Sequence, residues 1–133
     1  MNIMNGKERE IVDMLKDFGL CQYEAKMYFT LLTIGEAKVM RITKKSSVPQ
    51  SKAYDVLESL QERGFVELRV AERPKRYRAR VLDEVKDIVV RQRQKEIQEL
   101  ERHQKKLGAI LQNIVPIHQR YNGMRLFSPS YRR

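Results

Sequence analysis

The sequence of 133 residues has one cysteine, Cys21, so no internal disulfide can form and a reducing compartment is expected. It has no apolar run near the eighteen or so residues that a membrane span needs. Residues 1–8 lack the apolar stretch of a secretory signal, and the expected location is the cytoplasm. There is no glycine-rich phosphate loop, no nucleophile motif and no paired acid and base, which argues against an enzyme. Cys21, His103 and His118 are too scattered to show metal-ligand spacing, so neither a metal nor a cofactor is expected. Acidic residues are also in short supply: 17 Asp and Glu face 27 Lys and Arg, a net charge of +10, and the implied partner is anionic.

Hydrophobic residues make up 41% and charged residues 33%, enough for a modest core but not for a large one. The positive excess is unevenly placed. Residues 1–33 carry 4 basic and 5 acidic side chains, and residues 34–82 carry 12 and 6. Residues 83–113 carry 7 and 6, and the last twenty carry 4 basic and no acidic residues. The charge therefore sits in the middle segment and the tail, the footprint of a surface for a polyanion.

Ile11, Leu15 and Phe18 recur at helical spacing and Gly19 follows as a stop. Tyr23, Ala25, Met27, Tyr28, Leu31 and Leu32 predict a second helix from near Cys21 to before Gly35. Val39, Met40 and Ile42 mark a short third helix, closed by the polar stretch 44–47. A fourth starts at about Pro49 and stops at Gly64, with Ala53, Val56, Leu57 and Leu60 on one stripe. The period then changes to two, with Phe65, Glu67 and Arg69 on one side of a strand and Val66, Leu68 and Val70 on the other. Residues 72–75 make a basic turn, and residues 76–81 alternate as the return strand. Four helices and a hairpin, with the third and fourth helices separated by a few residues, predict a mainly α fold, a winged helix-turn-helix.

Residues 83 to about 113 contain no proline and only Gly108, which predicts one long helix of roughly 46 Å. Val90, Ile97, Gln104 and Leu111 fall at heptad position a, and Arg93, Leu100, Leu107 and Ile114 at d. Six of these eight residues are apolar, so the helix is expected to pair with a second copy through Val90, Ile97, Leu100, Gln104, Leu107, Leu111 and Ile114. In a parallel pair Glu96 would face Glu101 of the partner, which mildly disfavours that orientation without settling it. The expected domains are 1–82 for the winged helix-turn-helix, 83–114 for the dimerisation helix and 115–133 for a basic tail. That tail either adds nonspecific affinity as an extension or folds back on the dimer.

Four separated motifs occur in order: residues 19–28 with Tyr23-Glu24-Ala25-Lys26 at the centre, residues 48–57, residues 60–66 and residues 73–79. Over about residues 8–90 the chain resembles the winged-helix domain of archaeal TrmB-type transcriptional regulators. The resemblance implies a dimeric DNA-binding protein of archaeal type, with Pro49 to Gly64 as recognition helix and Arg73 to Arg76 as wing. Cys21 stands where that family usually carries a threonine cap. Larger members continue into a sugar-binding domain for which this chain is too short, so sugar sensing is not carried over and any effector is left open.

A recognition helix reads base edges with its leading residues while its opposite face packs on the domain. Gln50, Ser51, Lys52 and Tyr54 are then the candidate contacts, with Gln50 suited to adenine and Ser51 and Lys52 to phosphates or bases. The Tyr54 ring is placed to pack against the preceding helix while its hydroxyl meets a phosphate, and Asp55 suits an orienting role. Lys44, Lys45 and Ser47 precede the helix. Arg73, Lys75, Arg76 and Arg78 belong to the wing, where Arg76, Arg78 and Arg80 alternate onto one face and form a row suited to phosphates. The same charges also serve to keep a sheet edge soluble. The expected function is a sequence-specific double-stranded DNA-binding regulator acting as a homodimer, with half-sites near multiples of about 10 bp. The alternative is a winged-helix adaptor for RNA or a protein.

Overall fold

Helix α1 (Gly6–Leu15) opens with a reciprocal cap. The Glu8 N–H donates to Asn5 Oδ1 at 2.8 Å, and the Asn5 N–H donates to Glu8 Oε1 at 3.2 Å. The computed structural model describes residues 5–69 and 74–114. The chain divides into two compact units, Met1–Val90 and Arg91–Arg133.

A single 3₁₀ turn, Lys16–Phe18, ends α1 at Gly19, whose φ of 86° only glycine adopts freely. Helix α2 (Gln22–Ile34) follows and buries Ala25, Met27, Tyr28 and Leu31. It is the centre of the first unit, packing against α1, α3 (Val39–Ser46), α4 (Gln50–Glu62) and β2 (Arg76–Ala79). Strand β1 (Val66–Arg69) pairs antiparallel with β2, and α5 spans Leu82–Leu111. The architecture is the winged helix-turn-helix expected from the element order, followed by a long helix.

Several details differ from the periodicity. Leu32 and Met40 are exposed, at 41% and 77%, because each lies on the solvent side of its helix. Lys44, Lys45 and Ser46 form the last turn of α3 rather than a closing loop. Phe65 does not share a face with Glu67 and Arg69. Strand β1 starts one residue later, and the left-handed Gly64, φ 82°, turns Phe65 into the core. There its ring meets Tyr28 edge-on at 6.2 Å.

The hairpin register sets Val66 opposite Ala79, Glu67 opposite Arg78, Leu68 opposite Tyr77 and Arg69 opposite Arg76. Opposed residues share a face, so Val66 and Tyr77 turn inward while Glu67 and the arginines turn outward. Ala37 adds a bridge to Tyr77, with the two N–H groups donating to the opposite carbonyls at 3.0 and 2.8 Å. Tyr28 fastens the far end of the hairpin, its hydroxyl donating to the Arg80 carbonyl at 2.7 Å. Burial, with the Glu84 charge nearby, pushes that hydroxyl to about 12, so it remains a donor throughout the ordinary pH range.

Helix α5 has 30 residues, about 45 Å of rise. Val85 is fully buried, and Ile88 and Val89 pack on the core of the first unit. Every residue from 91 to 107 is exposed. Among the described residues no helix is long and apolar enough to cross a membrane.

Candidate nucleic-acid interface

The turn between α3 and α4 is three residues, Ser47 to Pro49. Ser47 takes a left-handed φ of 63° and its N–H donates to the Thr43 carbonyl at 3.0 Å, ending α3. Val48 is buried and holds the turn to the core, and its N–H reaches Ser46 Oγ at 3.3 Å. Pro49 caps α4 with an extended backbone, as a residue without an N–H can at a helix start.

The faces of α4 are sharply sorted. Ala53, Val56, Leu57 and Leu60 are buried, and Gln50, Ser51, Lys52, Tyr54 and Asp55 are exposed. Tyr54, with 63% exposure, has its ring on the open side. It lies close enough to Tyr77 to help burial raise the Tyr77 hydroxyl above its usual range. The leading turn of α4 therefore offers an amide, a hydroxyl, an ammonium and a phenol on one surface, beside backbone N–H groups that favour anions.

Lys44, Lys45 and Ser47 are exposed on the α3 side of the same turn. Lys38 and Arg41, which the sequence did not single out, add to this basic surface and line a shallow groove with Met40 and Lys44. The i, i+3 spacing of Arg41 and Lys44 on α3, with Lys38 at the cap position before it, was the available signal.

The wing is less basic than its composition suggests. Arg78 Nη2 donates to Glu67 Oε1 at 2.6 Å, and Arg80 Nη2 lies 3.3 Å from the other oxygen of Glu67. Arg80 also reaches Glu84 at 3.7 Å, and Arg69 reaches Glu36 at 3.4 Å. The hydrogen bond from Arg78, with the nearby Arg80, holds the Glu67 carboxyl below its usual range. Arg76, Arg78 and Arg80 are thus a row interrupted by acid from the neighbouring strand, which alternation along one strand cannot reveal. Lys75 is exposed and Arg76 half-buried at the start of the return strand. Arg73 lies outside the described residues, as does the basic tail from residue 115.

Of the proposed pairing residues, Val90, Ile97, Leu100, Leu107, Leu111 and Ile114 are 39–69% exposed, and Gln104 is exposed among them. Ile114 lies three residues beyond the end of α5. Among the described residues no group of three His, Cys, Asp or Glu side chains lies together as a metal site would need.

Residues 15–82, just over half of the chain, match the family model described as "Sugar-specific transcriptional regulator TrmB". The chain belongs to the TrmB family. TrmB proteins are helix-turn-helix transcriptional regulators rather than enzymes. Over 61 residues this TrmB-family chain is 46% identical to TrmBL1 of Pyrococcus furiosus, an HTH-type sugar-sensing transcriptional regulator, which covers 46% of the chain and 18% of that relative. It is 42% identical over 59 residues to YrhO of Bacillus subtilis, covering 44% of the chain and 22% of that protein. The matches span about a fifth of the length of these curated relatives.

Among solved structures, that of TrmBL2, an archaeal chromatin protein with a novel mode of DNA binding, superposes with a TM-score of 0.72. The match is 29% identical and covers 82% of this chain and 42% of TrmBL2. A possible transcriptional regulator from Methanosarcina mazei shares the fold, with a TM-score of 0.58 at 13% identity over 71% of this chain and 85% of that one.

Proposed function

We propose that this TrmB-family chain is a sequence-specific regulator that binds double-stranded DNA as a homodimer. Helix α4 enters the major groove with Gln50, Ser51, Lys52 and Tyr54, and the hairpin lies on the backbone or in the minor groove. Lys44, Lys45 and Ser47 approach the phosphates from the end of α3, and Arg73, Lys75, Arg76 and Arg78 from the wing. Residues 1–82 form the DNA-binding part, residues 83–114 join the two copies and residues 115–133 add basic charge, all in the cytoplasm.

The observation that carries this is the sorting of α4: four apolar side chains buried on one face and an uninterrupted polar surface at its leading end, next to the exposed Lys44 and Lys45 at the end of α3. Similarity to TrmBL1 and to TrmBL2 supports DNA as the polyanion.

The test is binding of the full chain to genomic duplex fragments across a salt series, with mixed-sequence competitor present. A subset of fragments is expected to stay bound at salt concentrations that release the rest. Equal affinity for every duplex at every salt overturns sequence specificity, and preference for RNA overturns the choice of polyanion.

A further inference from the structure

The exposed seam of α5 is not uniformly apolar, and its two polar positions restrict how two copies can meet. Arg93 and Gln104 stand at seam positions, eleven residues apart, among Val90, Ile97, Leu100 and Leu107, which are 42–69% exposed. Glu96 and His103 occupy the same flank of the seam one heptad apart, and both line one shallow groove along α5 with Leu100. Glu96 Oε2 accepts a bond from Gln92 at 3.3 Å within the helix.

A parallel pair stacks each seam residue on its own copy. Arg93 then meets the partner's Arg93 inside the seam, and Glu96 meets the partner's Glu101. Both contacts set like charges together. In an antiparallel pair each a position meets a d position, and flank g meets flank g. One such register sets Gln104 against the partner's Leu100, Arg93 against the partner's Leu111 and Glu101 against the partner's Glu101. Two polar groups are then buried against leucine, with two carboxylates facing each other.

We propose that α5 pairs antiparallel with α5 of a second copy, in the register that sets Arg93 against the partner's Gln104, Ile97 against the partner's Leu100 and Glu96 against the partner's His103. In that register Val90 meets the partner's Leu107, so apolar meets apolar in the layers on either side of the Arg93–Gln104 layer. The guanidinium of Arg93 finds the amide oxygen of Gln104, and the Glu96 carboxylate faces an imidazole. No like charges oppose one another in these layers. The register rests on the homodimer reading above and adds orientation and alignment to it. It also places the two Leu82 ends of the helices about 50 Å apart, whereas a parallel pair would bring them side by side.

Disulfide trapping on the full chain tests it, in a background with the exposed Cys21 replaced by Ser. Arg93→Cys and Gln104→Cys are prepared separately, and also unfolded and refolded together so that subunits redistribute. Neither variant alone is expected to give a covalent dimer on oxidation, since identical positions then lie about 16 Å apart, beyond disulfide reach. The mixture is expected to give one. Ile97→Cys with Leu100→Cys forms a second mixed pair that must also cross-link, and it decides the matter if the first pair disturbs assembly. Covalent dimers of Arg93→Cys or Gln104→Cys alone show parallel pairing and overturn the proposal. Uncross-linked mixtures of protein that sediments as a dimer show another register and overturn it too, leaving the homodimer intact. A wild-type chain that sediments as a monomer at micromolar concentration overturns the homodimer as well.

Discussion

Arg63 Nη1 lies 3.2 Å from Glu24 Oε1, joining the start of α2 to the end of α4 across 39 residues. The same guanidinium donates to the carbonyls of Gly19 and Phe18, at 2.9 and 3.3 Å, and lies 5.0 Å above the centre of the Phe65 ring. Glu24, in turn, accepts the Cys21 N–H at 2.9 Å and a hydrogen bond from the Ser59 hydroxyl. Both residues belong to the motifs that carry the family resemblance, and in this structure they brace α4 against α2.

Removing the brace is expected to destabilise the domain. Arg63→Ala leaves the largely buried Glu24 carboxylate without its cation and two carbonyls without a donor, a loss of about 2 kcal/mol. Urea unfolding checks it, and a midpoint unchanged from wild type would show that solvent replaces those bonds without cost.

Acid should release the same brace. Burial pushes the Glu24 carboxyl up, but the hydrogen bonds from Ser59 and the Cys21 N–H, together with the Arg63 charge, outweigh it and hold the group below its ordinary 4.5. A carboxyl lowered by folding stabilises the folded state above its unfolded value, and that contribution is lost as pH falls through the folded value. Melting temperature is therefore expected to drop as pH falls below about 4.5, and Glu24→Gln should be less stable at neutral pH with a shallower acid decline. Parallel acid declines in the two proteins would remove Glu24 from the account.

Glu67 is expected to restrain DNA affinity. It holds Arg78 and Arg80 on the outer face of the hairpin, and Glu67→Gln removes one negative charge there and releases both guanidinium groups. Binding to any duplex should strengthen at low salt, and the slope of log affinity against log salt should steepen by roughly 0.9 for each phosphate newly contacted. A weaker variant would mean that Glu67 serves mainly to orient Arg78 for contact.

Gln50 and Arg76 should separate reading from holding. Gln50→Ala is expected to lose roughly 1–3 kcal/mol of discrimination between a preferred duplex and its single-base variants, with little change on mixed sequence. Arg76→Ala should weaken all duplexes alike and flatten the salt slope. Competition binding measures both, and the opposite pattern would exchange the two roles.

Cys21 is a suboptimal cap. It precedes α2 with the extended backbone of a cap residue, φ −78° and ψ 177°, and Glu24 completes the reciprocal bond to its N–H. Cys21→Thr, which places a stronger acceptor at that position, is expected to add about 0.5–1 kcal/mol in chemical denaturation. A loss of stability would show that the larger β-branched side chain is not accommodated there.

Local chemistry made most of the architecture legible from the residues alone. Glycine stops at 19, 35 and 64, proline at 49 and the change of period after Gly64 each act within a few residues of chain, so four helices, a hairpin and a long fifth helix were expected where they occur. The sorted faces of α4 were legible for the same reason, since Ala53, Val56, Leu57 and Leu60 fall on one helical stripe. Contacts between residues distant in sequence belong to another category. That Phe65 enters the core, that Ala37 bridges Tyr77 and that Arg63 binds Glu24 follow from packing between elements, which no periodicity encodes. The charge shows the difference most clearly. Its excess in residues 34–82 can be counted along the chain, but the availability of each arginine depends on strand register, which sets Glu67 beside Arg78 and so neutralises part of the wing.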